Sequence, residues 1–488
     1  MKRYFALSCC LLIFAFTTQA PKSADQRLVT RYGRPGEQGA VWSDSQLGRV
    51  AHDIDRILTQ RSLRSAHLGF VAAAAGQGQV IYARNAGEQF MPASNLKLLT
   101  GSAAFARLGT AFAFATLVLS DGRNLYLRGG GDPLLRARDL QDAARAVAAS
   151  AVGHVNGVLF TDVSRYDDRP YAPGWSWDDL PYSYAPPVSA LNLEENAIHV
   201  FVSPGAAAGT PARARIEPAY AADWVDNQVV TGPRLSNDTS DVERFFEDWK
   251  TVVLVGSYPL GAKESEDLMP AVADPAHYAG QAFLAALQAD GVSVDGGIQA
   301  GKAPSDARVL WEHTSEPFPQ LLEDFWWPSD NLMGEVLLKE LGALHASRGS
   351  AAGGIAVENE YLRSIGVDPR SASIADGSGL SSYDRLTPAA LVAILQADWK
   401  SPYREAVIDA LPLAGVRGTL KDSFVGTSAE KNVFAKTGSL SHVRAISGYL
   451  RTRRHGTVVF SLMVDDWTGD ASALDSIRAA LLSRIITD

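Results

Sequence analysis

Cysteine is nearly missing from this chain of 488 residues: its two copies, Cys9 and Cys10, both sit within the first ten positions. Downstream of them there is no material for a disulfide framework, a thiol nucleophile or a cysteine-based metal site. Histidine is sparse, with nine copies. None falls in a His-Glu-x-x-His pattern, so nothing supports a zinc hydrolase, and no metal or other cofactor is expected. No Gly-x-Ser-x-Gly elbow of an α/β-hydrolase occurs. Gly129-Gly130-Gly131 lacks the strand-to-helix setting and the lysine of a phosphate loop and reads as a turn. Long basic blocks are missing too; the densest is Arg451 to Arg454, and the net charge is −9. Such a chain has no electrostatic footprint for a phosphate backbone, so nucleic acid is not an expected partner.

What is present is a soluble, globular composition, 46% apolar and 20% charged, in a chain long enough for more than one domain. Residues 1–20 read as an export signal: Lys2 and Arg3, an apolar run from Phe5 to Phe16, then small and polar residues to Ala20. The apolar run is short for a span, and no later segment reaches 18 uninterrupted apolar residues. The expected location is outside the cytoplasm, in the periplasm or cell-wall space, with peripheral membrane contact left open.

Periodicity places elements at both chain ends. Asp44 caps an expected helix to about Gln60, with Leu47, Val50, Ile54 and Leu58 on one face. His67 to Ala74 and Val80 to Arg84 form an expected hairpin, and a helix opens near Ala93. Near the C-terminus, Asn432 to Thr437 reads as a strand. Ala445 to Arg451 and Gly456 to Asp465 form a second hairpin, and Asp470 to Ile486 an amphipathic helix. One antiparallel sheet built from both ends follows. The expected division is a catalytic domain of residues 27–115 and 301–488, interrupted by a β-rich insertion over 116–300.

Three short motifs carry chemistry. Ser94-Asn-Leu-Lys97 opens a helix, and the i, i+3 spacing sets Ser94 and Lys97 one turn apart on one face. A serine hydroxyl attacks only when a neighbouring base takes its proton. Lysine serves once burial or a nearby cation lowers its pKa from about 10.4. Ser329-Asp330-Asn331 offers a hydroxyl for proton relay and an amide that both donates and accepts, and it also reads as a helix cap. Lys436-Thr437-Gly438, followed by Ser439, lies on an expected strand, where Lys436 can fix a carboxylate and Gly438 leaves room for a peptide against the edge. Each triplet alone is bland. Their order and contexts together match the trio of β-lactamases and penicillin-binding proteins.

The chain resembles the class C low-molecular-mass penicillin-binding proteins, the D-alanyl-D-alanine carboxypeptidase/endopeptidase family. Besides the trio, the likeness rests on Gly131-Asp132-Pro133, Ala190-Leu191-Asn192, Asp376-Gly-Ser-Gly-Leu380-Ser381, and Leu411-Pro-Leu-Ala-Gly415 with Gly418-Thr-Leu420. It implies an α/β fold: a transpeptidase/β-lactamase-like domain, its antiparallel sheet flanked by helices, with a large β-rich insertion. It implies hydrolysis of D-Ala-D-Ala or cross-link bonds in peptidoglycan stem peptides, and acylation by β-lactams. Carried over, Ser94 is the acylated nucleophile, Lys97 its base, and Ser329 beside Lys436 the relay to the leaving amine. Asn331 holds the peptide backbone. Lys436, Thr437 and Ser439 receive the terminal carboxylate, and the N–H groups of Ser94 and Ser439 form the oxyanion hole. Asp178, in Trp175-Ser-Trp-Asp-Asp179, is a candidate for a stem-peptide amino group. After Ser381 the family's usual Arg and Asn are replaced by Ser382 and Asp384. A serine β-lactamase and a non-catalytic wall-binding protein are the competing readings.

Overall fold

The computed structural model describes residues 39–60, 63–150, 153–265 and 267–488. The expected signal segment, with Cys9 and Cys10, lies outside the described residues.

Alternating sequence from the two chain ends meets in one five-stranded antiparallel sheet. Its order is Val433–Leu440, Val443–Arg451, Thr457–Asp465, His67–Ala74, Val80–Arg84. The halves join where Thr457–Asp465 pairs with His67–Ala74, His67 lying opposite Asp465. Because side chains alternate along a strand, each strand feeds two cores. Val71, Ala73, Ala445, Tyr449, Val459 and Met463 pack against helices Leu96–Leu108 and Pro388–Lys400. Phe70, Ala72, Ile446, Leu450, Phe460 and Leu462 pack against Asp44–Leu58 and Ala471–Thr487. A strand covered on both faces must be apolar at nearly every position, and Thr457–Asp465 is buried along its whole length. Each Val or Leu so buried contributes roughly 1.5–3 kcal/mol. The amphipathic reading of the last helix holds: Leu474, Ile477, Leu481 and Ile485 are all buried, and Asp470 caps it.

Between the two halves lies a second core. A mixed five-stranded sheet runs Ile298–Ala300, Leu159–Asp162, Leu125–Arg128, Ala115–Ser120, Arg308–Thr314. Smaller sheets lie further along the insertion, among them Asp241–Phe245 with Asp248–Val255 and Val225–Asn227. The region is rich in strands, as expected, but it also holds two helices that a strand reading passes over, Ala137–Ala149 and Pro275–Ala289. Both are rich in alanine, which favours helix; Ala137–Ala149 buries Leu140, Ala143, Ala144 and Val147 at helical spacing, a pattern the strand reading passed over. Their end signals were nonetheless present: Asp274 accepts from the His277 N–H, and Pro275 sits in the first turn.

A helical layer of Phe318–Trp326, Asn331–Gly342 and Ala351–Ser364 surrounds Leu96–Leu108. No helix among the described residues is long and apolar enough to cross a membrane.

Candidate active site

Ser94 sits in a 3-10 turn, Ala93–Asn95, that runs into the helix beginning at Leu96. The turn is held from three sides. Ala93 is left-handed, with φ +46°, a conformation costing an L-residue about 1–3 kcal/mol. Gly379 packs beneath it, where a Cβ would lie 1.9 Å from the Ala93 carbonyl oxygen. Buried Asn95 bridges to the sheet, its amide donating to the Lys436 carbonyl at 2.8 Å and accepting from Ser447 Oγ at 2.7 Å. The edge strand Val433–Leu440 then approaches so closely that a Cβ on Gly438 would stand 2.8 Å from the Pro92 carbonyl oxygen. Glycine at 438 brings the strand and the serine turn together.

Lys97 has no exposed surface. Its Nζ donates to Ser94 Oγ at 3.0 Å, Asn331 Oδ1 at 2.6 Å and the Ser378 carbonyl at 2.6 Å. Burial lowers its pKa to about 8, while the carboxylates of Asp376, Asp330, Glu335 and Asp384 pull the other way. The sequence pointed to partial burial and a neighbouring cation; full burial does the work instead, against a ring of acids. The neighbouring cation acts on Lys436, which burial first and Lys97 second hold well below the usual lysine range.

Lys436 is also fully buried, and its Nζ donates to Ser329 Oγ and to the Thr437 carbonyl, both at 2.8 Å. Lys436 thus stands beside Ser329, where the relay reading put it. Its amine faces the Ser329 hydroxyl, and the open groups beside it are Thr437 and Ser439. Ser329 is left-handed, φ +69°, a strain that the cap reading did not foresee. The cap itself is Asp330, which accepts from the Met333 N–H at 2.8 Å, and burial raises its pKa to about 6. Asn331 faces two ways, its Nδ2 donating to the Tyr184 carbonyl of the insertion at 2.7 Å.

Ser94, Ser329, Thr437, Gly438 and Ser439 line one cleft of about 740 Å³. Its other wall includes Thr419, whose hydroxyl meets that of Thr437 at 2.7 Å, and Arg444 and Arg478. Asp178 is not among the lining residues; it is exposed on the 3-10 turn Trp177–Asp179. Among the described residues no group of three or more His, Cys, Asp or Glu side chains is arranged to hold a metal ion.

Several supporting residues escaped the sequence reading. Glu335 Oε1 accepts from the N–H groups of Gly377 and Ser378, at 3.0 and 2.9 Å. This fixes the Ser378 carbonyl that Lys97 meets. Asp376 accepts from the N–H groups of Gly379 and Ser381, both at 2.7 Å, and from Trp175 Nε1 at 2.9 Å, tying the insertion to the loop under Lys97. The quoted Asp376-Gly-Ser-Gly-Leu-Ser segment contained Asp376 and Ser378 without a role, and Gly418-Thr-Leu contained Thr419 of the cleft wall. Asp384, at the departure after Ser381, points inward: it has no exposed surface and accepts from the Ala375 N–H at 2.7 Å.

A model of the D-Ala-D-Ala carboxypeptidase 3 (S13) family matches residues 50–485. The chain is 35% identical over 451 residues to a D-alanyl-D-alanine carboxypeptidase of Actinomadura sp. (strain R39), covering 88% of this chain and 83% of that one. It is 26% identical over 426 residues to the D-alanyl-D-alanine carboxypeptidase DacB of Haemophilus influenzae, covering 85% and 88%. The crystal structure of penicillin binding protein 4 (dacB) from Haemophilus influenzae superposes with a TM-score of 0.81 at 25% identity, over 89% of this chain and 99% of that one.

Proposed function

The chain belongs to the D-Ala-D-Ala carboxypeptidase 3 (S13) family, and we propose that it hydrolyses D-Ala-D-Ala and D-Ala cross-link bonds of peptidoglycan stem peptides through an ester to Ser94. The observation that carries this reading is a pair of hydroxyl–amine contacts on one cleft: Ser94 with Lys97, and Ser329 with Lys436.

Neutral Lys97 takes the Ser94 proton as Oγ attacks the carbonyl carbon of the penultimate D-alanine. The developing oxyanion accepts hydrogen bonds from the N–H groups of Ser94 and Ser439, an interaction usually large in acyl transfer. Ser329, beside Lys436, passes a proton to the amine as the C–N bond breaks. Water then cleaves the ester. The substrate lies along the edge strand Val433–Leu440, adding its own backbone to the sheet. Its carboxylate meets Thr437 and Ser439, and its backbone amide meets Asn331. Asp178 receives an amino group of the stem peptide. A β-lactam enters as a strained amide and acylates the same oxygen. The work site is the periplasm or cell-wall space, reached by the signal at 1–20.

The test is product analysis. The purified protein should release D-alanine from a pentapeptide ending in D-Ala-D-Ala, and after penicillin should gain one long-lived adduct by mass spectrometry. Rapid turnover of penicillin without D-alanine release would instead identify a β-lactamase. Wall binding with neither reaction would identify a non-catalytic protein.

Only the neutral amine is a base, so activity grows as pH rises through the pKa of Lys97. With that pKa at about 8, the neutral fraction climbs about tenfold between pH 7 and pH 9. Asp330 is ionised above about pH 6 and favours the charged lysine. Asp330→Asn keeps an oxygen for the Met333 N–H and removes the charge. The acid limb of the penicillin-acylation rate should move to lower pH, by roughly half a unit. A limb that stays in place or moves upward would disconnect Lys97 from the reaction.

A further inference from the structure

Arg444 and Arg478 stand together in the cleft without an assigned role. Arg444 lies directly opposite Ser439 across the ladder of Val433–Leu440 with Val443–Arg451. Opposed residues share a sheet face, with Cβ atoms about 4.5–5.5 Å apart. Arg444 therefore emerges beside the hydroxyl offered to the substrate carboxylate. One of its nitrogens is committed, Nη1 donating to the Leu440 and Val443 carbonyls at 2.7 and 2.8 Å. Arg478 comes from the C-terminal helix, and both residues line the same cavity as Ser94.

Arg478 is 8% exposed, and its Nε has no hydrogen-bond partner among the described residues. Burial lowers its pKa, Asp475, which meets its Nη1 at 3.1 Å, pulls the other way, and the charge of Arg444 adds a smaller lowering. Asp422 is the other carboxylate on the cavity wall. Two guanidinium groups on one cleft wall, beside the Ser439 hydroxyl, form an arrangement that an incoming anion completes, because the planar fork matches a carboxylate.

Since Ser439 is read as a partner of the leaving group's carboxylate, Arg444, opposite it on the ladder, and Arg478, on the same cavity wall, belong to the leaving-group side on that reading. Free D-alanine carries one carboxylate and ends there. A leaving strand that is itself a second stem peptide continues and carries another. We propose that Arg444 and Arg478 form an anion subsite for a further carboxylate on the leaving strand, so that this chain selects cross-linked peptides over terminal D-Ala-D-Ala. This inference rests on the peptidase reading above.

The test compares a cross-linked stem-peptide dimer with a pentapeptide ending in D-Ala-D-Ala. The ratio of kcat/KM, dimer over pentapeptide, should fall at least tenfold in Arg444→Gln, chiefly through KM, and be largely restored in Arg444→Lys. Amidating the far carboxylate of the leaving strand should cost the wild type a similar factor and cost Arg444→Gln little more. Arg478→Gln, read only if its melting temperature matches the wild type, should act in the same direction. A ratio unchanged in Arg444→Gln, with both substrates falling together or neither falling, would overturn the subsite. So would a wild type that releases D-alanine yet leaves the dimer intact. A wild type that releases no D-alanine and takes no penicillin would fail the peptidase reading itself, a distinguishable result.

Discussion

Ser94→Ala should lose D-alanine release by about 10⁴-fold or more and should take up no penicillin, while remaining folded. The size of the loss follows from the removal of the atom that forms the ester; an oxyanion hole and bound substrate alone leave only a remnant of catalysis. The fold should survive because Ser94 is only half-buried and its side chain gives up one hydrogen bond, to Lys97, worth about 1 kcal/mol. Alanine also fits the 3-10 turn, whose conformation is held by Gly379, Asn95 and Gly438 rather than by the hydroxyl. The measurement pairs intact-protein mass after penicillin with a thermal melt. A penicilloyl adduct on folded Ser94→Ala would place the nucleophile elsewhere.

Lys97→Met should slow acylation by about 10³-fold, within the 10²–10⁴ range for a lost general base. Methionine fills the buried stem of the lysine without its charge. Two acceptors, Asn331 Oδ1 and the Ser378 carbonyl, lose their donor, which destabilises. Removing a buried amine relieves its desolvation penalty, which offsets part of that loss, while Asp376, Asp330, Glu335 and Asp384 lose a favourable neighbour. The melting temperature should therefore move by only a few degrees, and the residual rate should no longer rise between pH 7 and pH 9. The pH profile is the discriminating readout: a slow variant that kept the wild-type acid limb would leave Lys97 as a structural residue and move the base elsewhere.

The sheet and its two flanking end helices were legible because burial there writes a period into the sequence. Thr457–Asp465 is buried throughout and apolar at six of its nine positions because it is covered twice, and Leu474, Ile477, Leu481 and Ile485 recur at helical spacing. The site was legible as three triplets because the chemistry needs a hydroxyl and an amine at fixed separations. Its supports were not. Ala93 and Ser329 are left-handed although neither residue type favours that conformation, so only the surrounding packing announces it. Glu335 and Asp376 act on backbone N–H groups, which every residue possesses, and leave no pairing pattern to read. The full burial of Lys436 was hidden for a related reason: its amine turns toward Ser329, and burial cannot be seen from a triplet. Of the two helices in the insertion, Pro275–Ala289 was hidden by its many small side chains, whereas Ala137–Ala149 carried a helical period, Leu140, Ala143, Ala144 and Val147, that the strand reading passed over.

The pairing of His67–Ala74 with Thr457–Asp465 spans about 400 residues of chain, and it carries a kinetic consequence. Closing so long a loop is entropically expensive and slow. The edge strand that completes the cleft, Val433–Leu440, emerges late in synthesis, after the serine turn and the whole insertion. A nascent or prematurely terminated chain therefore holds Ser94 without Lys436, Thr437 or Ser439 around it. Any fragment that stops before residue 433 lacks this edge of the cleft, so the site is complete only once the late strand has paired.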